Sequence, residues 1–407
     1  MKNRLKIAFR NTFRNGRRTL LNLIMIAGGV TAIILFRGFA ARMLYDVREK
    51  TIESQSGHLA LATSQYWNET ARHPKQALLP HYQIIADVIH KNPHVRYVAG
   101  RLNFYGLLSQ GEKSLSARGI SLDPAVEKLK SQSLTMEEGV GLSPDKPFQL
   151  ILGTGLAKKL HAKVGDSLTV LAYTFDNVIN AFDLEVAGIF RSGLSEVDQA
   201  TFMMPFQTTQ KLLDTPDVEQ IVVGLDDTRN TDRVEAELAP QVRAINPDVT
   251  IKTWSQLSDF YHQVESFFRV QNRVIEFILL ALILLGVLNT IGMSVFERAG
   301  EIGTERALGE TERSVLAQFL TEGAILGVAG AAVGAIVGTV LAIVVSSLGL
   351  LIVVPGASRP IHLHIDLFPA EYLQAIVLAF IAACLAALGP AYRAAHMNIV
   401  DALRRNV

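Results

Sequence analysis

Four long apolar stretches constrain the fold of this chain more than any other feature of its sequence. An α-helix needs about 20 predominantly apolar residues to cross the ~30 Å hydrocarbon core of a bilayer, and each stretch reaches or exceeds that length. We therefore predict an α-helical membrane protein with four transmembrane helices. The predicted transmembrane helices cover residues 20–43, 271–296, 315–354 and 371–392.

The first apolar stretch, taken alone, is also compatible with a secretory signal peptide, because Gly38-Phe39-Ala40 is a passable cleavage site. Its apolar run, however, is longer than the core of a usual signal peptide. The three later stretches also need a fourth span if the C-terminus is to return to the side of the N-terminus. We therefore expect the first stretch to be retained as a transmembrane helix.

Basic residues are concentrated in front of the first apolar stretch, where residues 1–18 contain seven Lys and Arg and no acidic residue. A basic stretch of this kind can bind nucleic acid, but here an apolar segment follows it immediately. That order is typical of the cytoplasmic flank of a first span. We therefore expect a membrane partner and no nucleic acid.

The distribution of Lys and Arg over the short connecting segments predicts the topology. The basic segment 1–19, the loop 297–314 and the tail 393–407 are predicted to be cytoplasmic, and the loop 355–370, with Arg359 as its only basic residue, periplasmic. The chain is thus expected to be a multi-pass protein of the bacterial inner membrane with both termini in the cytoplasm.

A segment without any long apolar run, residues 44–270, separates the first two predicted spans. Short strand-like and helical patterns alternate along it and are closed by turns such as Gly165-Asp166 and Asp123-Pro124. These signals predict a large extracytoplasmic α+β domain in two lobes, joined to the spans by helical stalks.

The loop between the second and third predicted spans has a helical pattern that contains unusually small residues, including Gly300 and Gly303. Glycine inside a helix costs ~1 kcal/mol relative to alanine, so its presence suggests that another surface approaches closely. A solvated amphipathic linker is the alternative interpretation, and the residues alone do not decide between the two.

This loop resembles the E-R-x-x-E-I-G-x-x-x-A-x-G coupling segment of MacB/FtsX-like ABC transporter permeases, in which a short helix docks into a groove of the ATPase subunit. The tail motifs 390–395 and 401–404 resemble the C-terminal signature of that family, with Asn398-Ile399 where Asp-Pro is common. The ATPase-coupling residues that the resemblance implies are Glu297, Arg298, Glu301, Ile302, Gly303, Ala307, Leu308 and Gly309.

Motifs in the predicted external domain are also similar to this family. Residues 151–166 resemble its periplasmic domain, while 56–59, 119–124 and 188–198 lean toward the lipoprotein-releasing, LolC/LolE-like branch. The resemblance implies a permease subunit that is not itself an enzyme and works as a pair with a second copy or a paralogue. A separate ABC ATPase dimer would bind ATP and Mg²⁺, and the cargo would be a lipoprotein or another envelope component.

The sequence offers no cofactor, catalytic or metal site of its own. Residues 106–114 approach a phosphate-binding loop, but Glu112 separates the second glycine from Lys113. His362 and His364 alternate on one face of a possible strand, but two imidazoles in a short loop are more often incidental than a metal site. Nucleotide binding is therefore expected on the partner chain.

Other functions remain open within the same superfamily. An efflux permease for peptides or drugs and an FtsX-like signalling protein that activates a cell-wall hydrolase use the same coupling segment. An ion-coupled transporter does not require that segment and should contain more charge within its spans.

Three features of the predicted spans concern packing and charge. Gly330, Gly334 and Gly338 form a stripe of small residues that suits close helix packing, either within this chain or against a second permease. Arg37 is expected to extend toward the membrane surface. Glu322 is expected to pair with a basic residue at the cytoplasmic surface, such as Arg298 or Arg313.

Overall fold

The structure is a computed structural model that describes residues 10, 16–68, 75–127, 134–352, 358 and 360–399. Most of the predicted basic segment 1–19 and the tail motif 401–404 lie outside the described residues. The described chain forms two compact units. The first contains residues 16–44, 264–352 and 362–399, and the second contains 45–263 with 358, 360 and 361.

The secondary structure is named here in chain order. The α-helices are α1 Gly16–Thr51, α2 Ser64–Asn68, α3 Tyr82–Ile89, α4 Pro124–Glu127, α5 Thr154–Leu160, α6 Ser195–Ala200, α7 Phe206–Leu213, α8 Thr231–Ile245, α9 Trp254–Leu257, α10 Asp259–Glu297, α11 Ala299–Ala307, α12 Glu312–Ser347 and α13 Pro369–Ala395. The strands are β1 Leu59–Thr63, β2 Val95–Arg101, β3 Asn103–Gln110, β4 Lys113–Leu122, β5 Thr135–Gly139, β6 Gln149–Gly153, β7 Ser167–Tyr173, β8 Ile179–Arg191, β9 Thr201–Pro205, β10 Gln220–Leu225, β11 Val249–Thr253, β12 Leu351–Ile352 and β13 Ile361–His362.

Within the described residues, four helices, α1, α10, α12 and α13, are long and apolar enough to cross a membrane. Each contains one of the predicted spans or most of it, but the predicted third span, 315–354, is wrong at its C-terminal end. Helix α12 stops at Ser347, and Leu351–Ile352 pair as a strand with Ile361–His362. Gly349 adopts φ +60°, the left-handed conformation that commonly ends a helix. Apolar composition continues past this point, which is why the sequence pattern did not reveal the end of the helix.

The first unit is held together by small side chains. The face of α13 that packs on α12 consists largely of alanines, and α12 presents glycines to it. A Cβ added to Gly323 would lie 2.7 Å from the Cβ of Ala387, and one added to Gly327 would lie 2.9 Å from that of Ala383. Helices in lipid associate through such close van der Waals contact, because burying apolar side chains gains little there.

The outward faces of the long helices carry large apolar side chains. Phe277 and Leu285 on α10 and Ile336 on α12 are exposed in the single chain. A soluble protein rarely exposes so much apolar surface, whereas hydrocarbon solvates it without cost. This distribution supports the membrane assignment independently of helix length.

The second unit has an α+β fold with two β-sheets. The four-stranded sheet has the order β11-β1-β10-β2, and all of its pairings are antiparallel. Helices α3 and α8 contribute side chains to its apolar core. Buried residues in this core include Leu59, Leu61, Ile221, Val223, Ile85, Val234 and Leu238.

The second sheet has seven strands in the order β5-β8-β6-β9-β4-β3-β7. β8 is 13 residues long, and its two halves have different partners. Its first half pairs with β7 and its second half with β6 and β5, so that six of the strands form a closed ring. The apolar core of this sheet includes Leu108, Leu152, Val170 and Phe202.

A buried carboxylate lies immediately before β10. Glu219 is 1% exposed, and its Oε2 accepts a hydrogen bond from the backbone N–H of Asn103 at 2.6 Å. Burial raises the pKa of Glu219 to about 8, although this hydrogen bond and the charge of Arg118 act in the opposite direction. The folded chain therefore holds a proton on this group at pH values where the unfolded chain has released it.

We predict that Glu219→Gln stabilises the second unit at alkaline pH. In the wild type, stability falls as pH rises from the unfolded pKa of about 4.5 through the folded value of about 8, because the folded state binds more protons. Glutamine keeps an acceptor for Asn103 and does not titrate. Its advantage over the wild type should therefore grow by on the order of 3 kcal/mol between pH 5 and pH 8.

The measurement is urea unfolding of the full chain in detergent micelles, followed by tryptophan fluorescence. Both tryptophans, Trp67 and Trp254, belong to the second unit and report its unfolding. Glu112→Gln on the exposed β3–β4 turn keeps Glu219 and is the control, so its stability should follow the same pH profile as the wild type. Parallel pH profiles for Glu219→Gln and the wild type would show that the carboxyl group is not protonated in the folded state.

Candidate functional site

The loop between the second and third long helices forms a separate short helix, α11. Helix α10 ends at Glu297, and Arg298 (φ −104°, ψ 11°) breaks the helical run before α11 begins. At the other end Gly309 adopts φ +99°, and no atom lies within 4 Å of where its Cβ would be. Glycine is therefore required there for the backbone conformation of the turn and not for space.

The two faces of α11 differ in exposure. Ala299, Gly300, Ile302 and Gly303 are buried within this chain, and Ile302 belongs to the apolar core of the first unit. The opposite side is open to solvent and carries Glu301, Thr304, Ala307 and Leu308. The small residues therefore allow α11 to approach the helices of its own chain.

Arg298 points into the first unit. Its Nη1 donates a hydrogen bond to Glu322 Oε1 at 2.9 Å, its Nε donates to Glu301 Oε2 at 3.2 Å, and its guanidinium lies 5.6 Å from the ring centre of Phe319. The side chains of Arg298 and Glu322 are only 10% and 5% exposed. The predicted pairing of Glu322 with Arg298 is thus confirmed, and this pair joins α11 to α12.

Two further ion pairs surround α11. Glu297 binds Arg18 of α1, with 3.1 Å between Nη1 and Oε2. Arg306 donates to the carbonyl oxygen of Ala395 at the end of α13 and to Glu312 Oε1 at 3.1 Å. A basic side chain on the last carbonyls of a helix is a favourable cap. The segment 297–306, which follows directly on α10, therefore contacts α1, α12 and α13.

The implied coupling residues separate into two groups in space. One group contacts or faces the other helices of the first unit and consists of Glu297, Arg298, Ile302 and Gly303. The other group lies on the exposed side and consists of Glu301, Ala307, Leu308 and Gly309. Leu308, the residue that ends α11, is 84% exposed. The sequence pattern did not single out Arg306, because its role depends on the end of α13, which is about 90 residues away along the chain.

The glycine stripe of α12 lies against α1 of the same chain. A Cβ at Gly330 would lie 2.6 Å from Ile26 side-chain atoms, and one at Gly334 would lie 2.6 Å from the carbonyl oxygen of Ala27. Gly338 is less crowded, with nearest atoms at 3.5 Å. The hydroxyl of Thr31 also donates to the carbonyl oxygen of Gly334 at 2.9 Å.

Arg37 does not extend alone toward the membrane surface. Its Nε donates to Glu276 of α10 at 2.8 Å, its Nη1 donates to Glu371 of α13 at 2.6 Å, and Gln374 also accepts from it. Its side chain is 16% exposed. The carboxylates come from two distant helices, so the sequence around Arg37 contained no sign of them.

The external motif at 188–198 shapes a cleft of about 540 Å³ in the second unit. Asp198 Oδ1 accepts hydrogen bonds from the backbone N–H and the hydroxyl of Ser192, both at 2.7 Å, and so fixes the loop that presents Leu194 and Glu196 to the cleft. Among the described residues, no group of three or more His, Cys, Asp or Glu is arranged to hold a metal ion.

Comparison with known families assigns both parts of the sequence. Residues 19–241 match the MacB-like periplasmic core domain, and residues 273–399 match the FtsX-like permease C-terminal domain. The first match alone covers more than half of the 407 residues. The chain belongs to the MacB/FtsX-like ABC transporter permeases. This permease is therefore a multi-pass membrane protein with a periplasmic domain.

Relatives of the permease are distant but extend over its length. It is 22% identical to the lipoprotein-releasing system transmembrane protein LolC of Xylella fastidiosa (strain Temecula1), covering 96% of this chain and 95% of that protein. It is 29% identical to the macrolide export ATP-binding/permease protein MacB of Nitrobacter winogradskyi, over 63% of this chain and 38% of that one. The end-to-end match supports placing the permease in the LolC-like branch of the family.

A solved structure also resembles the periplasmic part of the permease. The periplasmic region of MacB from Actinobacillus actinomycetemcomitans covers 51% of this chain and 94% of its own, with 15% identity and a TM-score of 0.38.

We predict that Gly334→Ala destabilises the permease and that Gly338→Ala does not. The added methyl group at position 334 would lie 2.6 Å from a backbone oxygen, while the one at 338 makes ordinary contacts at 3.5 Å. Overpacking of this kind costs about 1–3 kcal/mol. Thermal unfolding of both variants in detergent measures the difference, and equal melting temperatures would mean that α1 and α12 are not in close contact.

We also predict unequal effects for the two carboxylates that pair with Arg298. Glu322→Ala leaves a buried guanidinium with a single exposed partner and should cost about 3 kcal/mol. Glu301→Ala removes a partner that is 46% exposed and should cost less than about 1 kcal/mol. Thermal unfolding of both variants in detergent measures the two losses of stability. A larger loss for Glu301→Ala than for Glu322→Ala would contradict the inward orientation of Arg298.

Proposed function

We propose that this permease converts ATP hydrolysis by a separate ABC ATPase dimer into motion of its periplasmic domain, for lipoprotein release or a related envelope export. The observation that carries the proposal is the two-sided structure of α11. One side of α11, together with Glu297 and Arg298 just before it, is bonded to α1, α12 and α13, and the opposite side is exposed to solvent.

The exposed side of α11 has the composition of a docking surface. Leu308 is an almost fully exposed leucine beside Ala307 and Thr304, with Glu301 at the edge. An apolar anchor with a polar rim is the usual arrangement of residues that dominate binding energy at an interface. The groove of an ATPase subunit is the partner that the family resemblance implies. ATP and Mg²⁺ would be bound by that subunit, with no cofactor on this chain.

A displacement of α11 would reach the long helices through polar contacts and not through apolar packing alone. Arg298 would transmit it to α12 and Arg306 to the end of α13, while Glu297, the last residue of α10, would transmit it to α1. Helices α1 and α10 continue in sequence into the periplasmic domain. Movement of the domain, whose two sheets we assign to two lobes, would then act on the cargo.

The proposed topology has both termini in the cytoplasm of a bacterial inner membrane. The contacts of Glu297 and Arg306 bring the start of α1 and the end of α13 to the same end of the first unit as α11. Arg17, Arg18, Arg313 and Arg393 belong to the same parts of the chain. An excess of Lys and Arg marks the cytoplasmic side.

The cargo and the second permease follow from the relatives. The LolC protein that matches end to end is part of a lipoprotein-releasing system, which favours a lipoprotein as cargo. The second permease would be another copy of this chain or a paralogue. The MacB relative is named for macrolide export, so an efflux permease is the second candidate function. An FtsX-like activator of a cell-wall hydrolase is supported by the C-terminal family match alone.

We predict that Leu308→Asp weakens binding of the ATPase to the permease without unfolding the permease. The substitution places a charge on the exposed anchor, and loss of a central apolar contact typically costs 2 kcal/mol or more, which is roughly 30-fold in affinity. The measurements are co-purification of the ATPase and permease-stimulated ATP turnover. Leu348→Asp is the matched control, because Leu348 is an exposed leucine that also ends a helix, α12.

Chemical labelling tests the topology and the docking together. A cysteine at position 308, in a Cys384→Ser background without other cysteines, should react with a membrane-impermeant maleimide in inverted vesicles and not in intact cells. Bound ATPase should protect it. Labelling in intact cells would show that the proposed topology is wrong. Full reactivity in the presence of the ATPase would show that α11 is not part of the interface.

A further inference from the structure

One residue of the periplasmic domain, His58, lies where the end of α1 and the short helix α9 meet the four-stranded sheet. After α1, the chain makes a single turn of π-helix over Ile52–Ser56 and reaches β1 through Gly57 and His58. The backbone N–H of His58 donates to Val223 of β10 at 2.8 Å. Its carbonyl oxygen accepts from Trp254, which begins α9 directly before α10, at 3.0 Å.

The imidazole of His58 links β10 to α1 through a chain of three hydrogen bonds. Its Nδ1 accepts from the backbone N–H of Leu225 at 3.0 Å, so the neutral ring carries its proton on Nε2. Nε2 lies 3.2 Å from the hydroxyl of Thr228 and donates to it. That hydroxyl in turn donates to Glu49 Oε1 of α1 at 3.2 Å.

The surroundings keep His58 in this neutral form. Burial lowers the pKa of His58 to about 4, and the nearby charge of Arg48 acts in the same direction. Asp226 and Asp227 act in the opposite direction. At neutral pH the ring therefore remains an acceptor for Leu225 and a donor for Thr228.

Gly57 restricts the path of the chain on the other side of the joint. It adopts φ +65°, and a Cβ there would lie 2.9 Å from the carbonyl oxygen of Val223. A residue with a side chain would strain the backbone and push β1 from β10. The π-helical turn is thus bounded by α1 before it and by a fixed backbone after it, and such turns often occur at functional sites.

We infer that His58 is a positioning residue that fixes the last turns of α1 and the start of α9 to the sheet β11-β1-β10-β2. Movement of these helices then displaces the sheet instead of being lost as bending within residues 52–57. The inference rests on the proposed function only for the source of the movement. The joint itself is a property of this chain alone.

Hydrogen exchange of the full-length permease in detergent micelles, without ATPase or nucleotide, tests the joint. Thr228→Val breaks the link to Glu49 but leaves the bond between His58 and Leu225. Amides of residues 49–57 should exchange roughly tenfold faster, as expected for the loss of one hydrogen bond, while β1 and β10 keep their protection. Glu49→Ala should have the same effect, and Glu49→Gln, which keeps the accepting oxygen, should behave as the wild type.

Thr209→Val is the control, because Thr209 also belongs to the domain but its hydroxyl donates to the carbonyl oxygen of Pro205, the last residue of β9, away from the joint. Unchanged exchange in both Thr228→Val and Glu49→Ala would overturn the inference, and so would equal acceleration over the whole sheet. The second readout is cargo release per ATP hydrolysed by the reconstituted complex, which should fall in Thr228→Val while ATP turnover persists. A permease that never binds an ATPase would refute the proposed function and leave the exchange result intact.

Discussion

Close contact between small residues is the interaction on which the helical unit depends. Within hydrocarbon, apolar burial gives no driving force, and van der Waals contact must hold the helices together. The glycines of α12 meet α1 on one side and the alanines of α13 on the other. Because α12 touches both neighbours at backbone distance, it is the central element of the unit. The large apolar residues are consequently free to face outward.

Polar contacts are concentrated at the two ends of this unit, where they select one arrangement of the helices. Around α11, the buried pair of Arg298 and Glu322 is costly to break, because removing one partner leaves a buried charge without its buried counter-charge. At the opposite end, Arg37 joins α10 and α13 to α1. Small residues therefore provide the contact area between the helices, and the ion pairs fix the position of each helix relative to its neighbours. This division explains how α11, a short helix that contains two glycines, can still be held in place.

The sequence was sufficient for features that depend on local composition, and insufficient for those that depend on distant partners. Apolar length revealed the four long helices, and the spacing of turns revealed the α+β character of 44–270. The partners of Arg37 and Arg306 lie hundreds of residues or a whole helix away, and no local pattern encodes them. The same holds for the division of β8 between two sets of strands. Gly303 is buried within its own chain, and its part in coupling to the ATPase stays a prediction.

The alanine-rich contact between α12 and α13 also has a consequence for motion. Alanine and glycine have no side-chain rotamers, so forming this contact freezes almost no side-chain entropy. A shift of one helix along the other therefore requires no rotamer change at the interface, unlike a contact between interdigitated leucines. Shear between packed helices, by small sliding steps, is a recognised mode of conformational change. The surface that binds these two helices most closely is thus also the smoothest one along which they can slide.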